Sequence, residues 1–192
     1  IDALVLAPGV PFKHISHPIA QKARVADRPI IGDIELLVET CPTATFIGVT
    51  GTNGKSTTTA LIGHMLQTAG IKNQIGGNLG PPALSLNEPN KKEIIVLELS
   101  SYQLDLTRNA TFDIAVFLNI SPDHLDRHGD MDGYFSAKRQ IFRNRQNIIK
   151  PQFAVIGIDE GYGRSLYSEM SARDSWTVYP ISMSANFSDG FH

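Results

Sequence analysis

The sequence has 192 residues, 42% apolar and 19% charged, with a formal charge of −2 and one cysteine, Cys41. This is the composition of a globular chain long enough for one good-sized domain plus part of another. With no basic excess, no apolar stretch of bilayer length and no disulfide framework, neither nucleic acid nor membrane is expected as a partner, and a reducing cytosol is the expected compartment.

The chain starts without an initiating Met or a leader pattern and ends in a polar, Gly- and Ser-containing stretch, so it reads as a piece of something longer. Ala3 to Leu6 is an apolar run that predicts a buried strand closed by Pro8-Gly9. Weak helical character follows over Pro18 to Arg24, and Pro29 breaks the stretch from Val25 to Ile31. Gly32 to Thr40 predicts a helix with Ile34, Leu37 and Val38 on one side, and Pro42 stops it, placing a domain boundary within 41–45.

From Phe46 onward, short apolar runs alternate with helical patterns. The runs are Phe46 to Val49, Ile94 to Leu97, Ile114 to Leu118 and Phe153 to Ile156. Each is apolar on both faces, which predicts an α/β fold with a mostly parallel sheet covered by helices. The helix after the first run is expected to carry an inward stripe of Leu61, Ile62, Met65, Leu66 and Ala69 and to stop at Gly70. A second helix is expected from about Asp132 to Asn147, with Asp130 as its cap.

The first run leads into Thr50-Gly-Thr-Asn-Gly-Lys-Ser-Thr57. A Gly-rich turn before a helix lets backbone N–H groups face an anion, the helix adds its positive end, and Lys55 adds a charge. The spacing departs from G-x-x-x-x-G-K-[ST], which has glycine where this chain has Val49. Ser56 or Thr57 would offer a hydroxyl to Mg²⁺.

In a parallel sheet, ligands sit beyond the carboxyl ends of the strands, so the residues after each run are the informative ones. Glu98 stands at one such end, as a metal ligand opposite the phosphates or as a solvated glutamate. Asp123 and His124 follow another, in Asn119-Ile-Ser-Pro-Asp-His-Leu-Asp-Arg-His128, where Asp126 and His128 read as surface residues. Tyr134, Lys138, Ile141 and Phe142 share a helical face, so Lys138 points inward. A buried lysine needs an anion beside it or must lose its charge, unless its ammonium snorkels to water. Asn78 lies in a glycine-rich loop able to approach a ligand closely. His14, His17, His64 and His192 are assigned no role.

Taken together these residues resemble the Mur ligase superfamily, the ATP-dependent amide-forming enzymes of peptidoglycan precursor synthesis. The resemblance rests on the T-G-T-N-G-K-S-T cradle, Gly32-Asp-Ile-Glu-Leu36, Gly77-Asn-Leu-Gly80, Leu97-Glu-Leu-Ser-Ser-Tyr-Gln-Leu104, the D-H-L-D run and Tyr134-Phe-Ser-Ala-Lys138, and becomes indistinct after about Gly157. It implies that residues 1–41 are the end of a Rossmann-like, UDP-substrate-binding domain and that 42–192 are a P-loop-type ATPase domain. The ligase domain that follows in the family is not expected within this sequence, so the segment alone is expected to bind nucleotide without completing ligation.

The resemblance further implies that Gly51, Thr52, Asn53, Gly54, Lys55, Ser56 and Thr57 hold the ATP phosphates and one Mg²⁺. Glu98 and His124 would hold a second Mg²⁺ together with Lys138 carbamylated by CO₂. Pro8, Gly9, Asn78, Ser100 and Gln103 match positions near the nucleotide-sugar substrate, although Ala7 stands where the family has serine. The implied reaction joins D-glutamate to UDP-N-acetylmuramoyl-L-alanine through an acyl phosphate, with Lys55, Glu98, His124 and Lys138 as catalytic residues. Other readings are another member of the superfamily, a folylpolyglutamate synthase, or a non-catalytic nucleotide-binding module. The S-S-Y-Q-L run argues against the first two, and the trio Glu98, His124 and Lys138 against the third.

Overall fold

The computed structural model describes residues 2–13, 16–89, 93–146 and 150–184. The amino-terminal elements are β1 (Leu4–Val5), α1 (Pro18–Val25), β2 (Ile30–Ile31) and α2 (Asp33–Thr40), with β1 and β2 forming a two-stranded parallel sheet. The expected buried strand at Ala3 to Leu6 is therefore only two residues long, and Val5 is exposed, because a two-stranded sheet leaves one face open to water. Leu6 and Phe12 are buried instead, packed with Ala20 against Leu106 of the larger unit.

The larger unit comprises β3 (Thr45–Thr50), α3 (Lys55–Thr68), β4 (Asn73–Gly77), β5 (Ile94–Glu98), α4 (Ser101–Asp105), β6 (Ile114–Phe117), α5 (Leu125–His128), α6 (Met131–Arg139), β7 (Gln152–Gly157), α7 (Gly161–Ser171) and β8 (Trp176–Ile181). The six strands run in the order β4-β5-β3-β6-β7-β8, every pair parallel. This is the expected α/β sheet with a P-loop-type arrangement, and each predicted run is a strand of it. Strand alternation sends Phe46, Ile95, Leu97, Ala115 and Phe117 to a core beneath α2, α4, α6 and α7. Ile47, Val49, Val96 and Val116 face the other way, beneath Ile62 and Leu66 of α3. Each fully buried Leu, Ile or Phe contributes about 1.5–3 kcal/mol relative to exposure.

Three expectations change at the level of elements. On α3, Leu61 and Met65 are exposed while Thr59 and Gly63 are buried, so the inward face is Thr59, Ile62, Gly63 and Leu66. Gly63 packs directly over β4, where an added Cβ would lie 2.3 Å from Ile75 Cδ1 and would fit only if the Ile75 side chain shifted. The second helix ends at Arg139 and tightens into a 3₁₀ turn over Gln140–Phe142; its cap is Asp130, which accepts from Gly133 N–H at 2.8 Å. Asn147 lies outside the described residues, as do His14 and His192. Finally, β4, α7 and β8 were not read from the sequence: β4 is Asn-Gln-Ile-Gly-Gly, and β8 is an edge strand containing Pro180.

From β3 the chain turns toward β4 and β5, whereas from β6 it turns toward β7 and β8. The carboxyl ends of β3 and β6 therefore flank the topological switch point, where an open parallel sheet leaves a crevice.

Candidate active site

The cradle occupies that crevice. Gly54 adopts φ +81°, ψ −5° as the N-cap of α3, a left-handed conformation that turns the chain into the helix without side-chain strain. With no side-chain cap on α3, the first-turn amides of Lys55, Ser56 and Thr57 have no acceptor within the helix, and the Ser56 and Thr57 side chains are exposed. Lys55 Nζ folds back to donate to Thr52 O at 2.8 Å. The amides of Thr52 and Asn53 do not face the crevice freely. They donate to Asn119 Oδ1 at 3.2 and 2.9 Å, and Asn119 Nδ2 donates to Asn53 O at 3.1 Å. Asn119, the second residue beyond β6, thus pins the turn from across the switch point; the sequence marked its place but gave it no role.

Glu98 is the last residue of β5, in register with Val49 of β3 and Gly77 of β4. It is 2% exposed, which excludes the solvated alternative. Asn78 Nδ2 donates to its Oε1 at 2.7 Å, while its Oε2 is buried and meets no donor among the described residues. A buried carboxylate oxygen without a donor is costly unless a cation pairs with it, so this position fits a divalent ion.

Lys138 is 1% exposed, so its ammonium does not snorkel to water. Its Nζ donates to Gly51 O at 2.7 Å and lies 4.6 Å from the Tyr134 ring centroid. Burial, reinforced by the Lys55 charge and opposed by Asp123, lowers its pKa to about 7. Tyr134 underlies the whole corner: its hydroxyl lies 3.2 Å from Thr52 Oγ1, and its ring meets His124 and His128 at centroid distances of 6.0 and 5.4 Å. His124 is exposed at φ +52°, with Nε2 3.4 Å from Asp123 Oδ2. Among the described residues no three His, Cys, Asp or Glu side chains form a metal cluster. A metal held by Glu98 and His124 would thus need hydroxyl or carbamate ligands besides.

The remaining expected positions divide. Ser100 and Gln103 are joined in a capping box at the start of α4, Gln103 N–H donating to Ser100 Oγ and Gln103 Oε1 accepting from Ser100 N–H and Oγ–H. Their present partners are each other. Pro8 and Gly9 sit in the turn after β1, and Arg127 Nη2 donates to Pro8 O at 3.2 Å and to Val10 O at 3.0 Å. His128, read as a surface residue, is buried, and its Nε2 lies 3.0 Å from Ser101 Oγ; desolvation lowers its pKa. Glu35 of α2 is also buried, accepting from the amides of Arg108, Asn109 and Ala110.

No helix among the described residues is long and apolar enough to cross a membrane. The Mur ligase middle domain family matches residues 49–190, so the likeness continues well past Gly157. The UDP-N-acetylmuramoylalanine--D-glutamate ligase of Caulobacter vibrioides strain NA1000 is 48% identical over 187 residues, covering 94% of this chain and 39% of that protein. The chain spans about two-fifths of the length of the curated relatives it matches. Among solved structures, the UDP-N-acetylmuramate:L-alanyl-gamma-D-glutamyl-meso-diaminopimelate ligase from Neisseria meningitides superposes with a TM-score of 0.61 at 17% identity, over 93% of this chain and 58% of that one. MurF ligase from Thermotoga maritima, solved in complex with ADP, gives 0.59 at 18% identity over 95% and 51%. At these identities the two structures carry the fold alone.

Proposed function

Since the chain belongs to the Mur ligase family, we propose that it is the ATP-binding segment of a ligase that joins D-glutamate to UDP-N-acetylmuramoyl-L-alanine in peptidoglycan precursor synthesis, in the cytoplasm. Residues 1–41 would close the UDP-substrate domain and 42–192 form the ATPase domain. The 48% identity to a relative named for that reaction supports the choice of amino acid.

The observation that carries the reading is Lys138, an amine buried against the cradle's own carbonyl, with a pKa of about 7. An amine in that range is substantially unprotonated at neutral pH, so it can attack CO₂. A new N–C bond forms, the amine proton leaves to solvent, and a buried base becomes a carboxylate. That carboxylate, Glu98 and His124 would hold one Mg²⁺, and the hydroxyl of Ser56 or Thr57 another. Bound Mg²⁺ would neutralise the charge of the phosphates and of the transferring phosphoryl group. Lys55 and the first-turn amides of α3 orient the ATP phosphates toward the substrate carboxylate, giving an acyl phosphate that the D-glutamate amine attacks. Asn78 fixes the Glu98 carboxylate through Oε1, leaving Oε2 for the metal side.

The test is turnover by the full-length protein of which this chain is a segment, with UDP-N-acetylmuramoyl-L-alanine, ATP and Mg²⁺, offering D-glutamate, L-glutamate, L-alanine and L-lysine in parallel. D-glutamate alone should support both amide formation and phosphate release. Preference for another amino acid, or ATP binding without phosphate release in the complete protein, would overturn the assignment.

A further inference from the structure

Arg127 holds together two parts of the chain that are more than a hundred residues apart. From α5 its Nη2 reaches the carbonyl oxygens of Pro8 and Val10, and its guanidinium lies between two aromatic rings, 5.5 Å from the Phe12 centroid and 4.9 Å from that of Tyr102. Phe12 is anchored in turn by the buried cluster with Leu6, Ala20 and Leu106. The grip is therefore on backbone oxygens, where a planar fork stacked between rings has a defined orientation that a flexible ammonium lacks.

That grip fixes the direction of the turn. The peptide joining Pro8 to Gly9 is planar and trans, so the Gly9 N–H points opposite to the carbonyl that Arg127 holds. The Gly9 N–H has no hydrogen-bond partner among the described residues, and a Cβ built on Gly9 would meet nothing within 4 Å. The turn thus carries an exposed, open donor.

We propose that Arg127 is a positioning residue: by holding the Pro8 and Val10 carbonyls it aims the Gly9 N–H at an acceptor oxygen of the uridine nucleotide and sets that turn against the loop carrying Asp123 and His124. The identity of the ligand rests on the ligase reading above; the latch itself does not. Arg127 contributes to binding through the turn; its hydrogen bonds go to Pro8 and Val10 and not to the cradle.

The experiment has two arms on the same protein. In the kinetic arm, Arg127→Gln and Arg127→Lys should raise KM for UDP-N-acetylmuramoyl-L-alanine, the former roughly ten-fold, as expected for loss of a charge-assisted hydrogen bond, and the latter less. The KM for ATP should stay at the wild-type value in both. An unchanged KM for the nucleotide sugar, or an equal rise for both substrates, overturns the proposal. In the second arm, hydrogen exchange of the Val10 amide, which donates to Ala7 O at 3.0 Å across the turn, should accelerate in Arg127→Gln and in Phe12→Leu, while that of Thr52 and Asn53 stays slow. Unchanged exchange at the turn also overturns it. If wild-type protein fails to use the nucleotide sugar while exchange responds as stated, the latch stands and the ligase reading is what fails.

Discussion

Lys138 donates its Nζ hydrogen to the carbonyl oxygen of Gly51, so the buried amine of α6 is tied to the first residue of the phosphate cradle. With the Lys55 charge nearby and little solvent, the ammonium form is disfavoured. A group whose folded pKa lies below its unfolded value opposes folding wherever it must be protonated. Here the penalty is complete below about pH 7 and fades as pH rises toward the ordinary lysine value of 10.5. In bicarbonate-free buffer with chelator, Lys138→Met should therefore raise the thermal midpoint at pH 6 and confer a shrinking advantage toward pH 10. A pH-independent difference would show that the amine is not desolvated.

Activity should respond oppositely to the same side chain. Lys138→Ala is expected to lower kcat by roughly 10²–10³-fold, the scale of a lost charge-stabilising group. If the carbamate is the active form, short-chain carboxylates added to the variant should restore part of the rate, and intact-mass measurement of the wild-type protein under CO₂ should show the added carboxylate.

Glu98→Gln keeps the shape of a side chain that Asn78 already holds. Since Glu98 Oε2 is buried without a donor, the substitution should leave the metal-free protein as stable or more so, while turnover falls roughly 10²–10³-fold. Titration with Mg²⁺ should show the higher metal requirement. A large loss of stability without metal would argue that Glu98 is a structural carboxylate.

Asn119→Ala removes the side-chain acceptor of the Thr52 and Asn53 amides; Thr52 N–H keeps the Asn119 main-chain oxygen at 3.1 Å, whereas Asn53 N–H is left without a partner. Leaving such a donor unsatisfied costs about 1–3 kcal/mol, so ATP affinity by calorimetry should fall by roughly ten-fold or more, with the fold retained by circular dichroism. Undiminished affinity would mean that the cradle keeps its shape unaided.

Glu35→Ala should destabilise the protein by about 2–4 kcal/mol, because three backbone amides would lose a charged acceptor. Denaturant unfolding measures the loss, and faster hydrogen exchange at Arg108, Asn109 and Ala110 would locate it.

The strands were legible where burial is two-sided. Ile94 to Leu97 and Ile114 to Leu118 are unbroken apolar runs because helices cover both faces of the sheet. β4 was not, since a strand at the edge packs less and tolerates Asn, Gln and paired glycines. The α3 stripe was misassigned because periodicity gives the angular spacing of apolar residues without saying which arc meets the sheet. Gly63 lies on the arc that does, where its missing side chain leaves room for Ile75.

By itself the sequence determined the cradle, the parallel sheet and the residue types at the strand ends, because each follows from local chain geometry or from the pattern of burial. Tertiary structure alone decided which groups already have partners. The Thr52 and Asn53 amides belong to Asn119, Ser100 and Gln103 to each other, and the Pro8 carbonyl to Arg127, whereas Glu98 Oε2 has none. Hydrogen bonding between residues distant in sequence depends on distance and direction after folding, and neither is encoded in the spacing of residues along the chain.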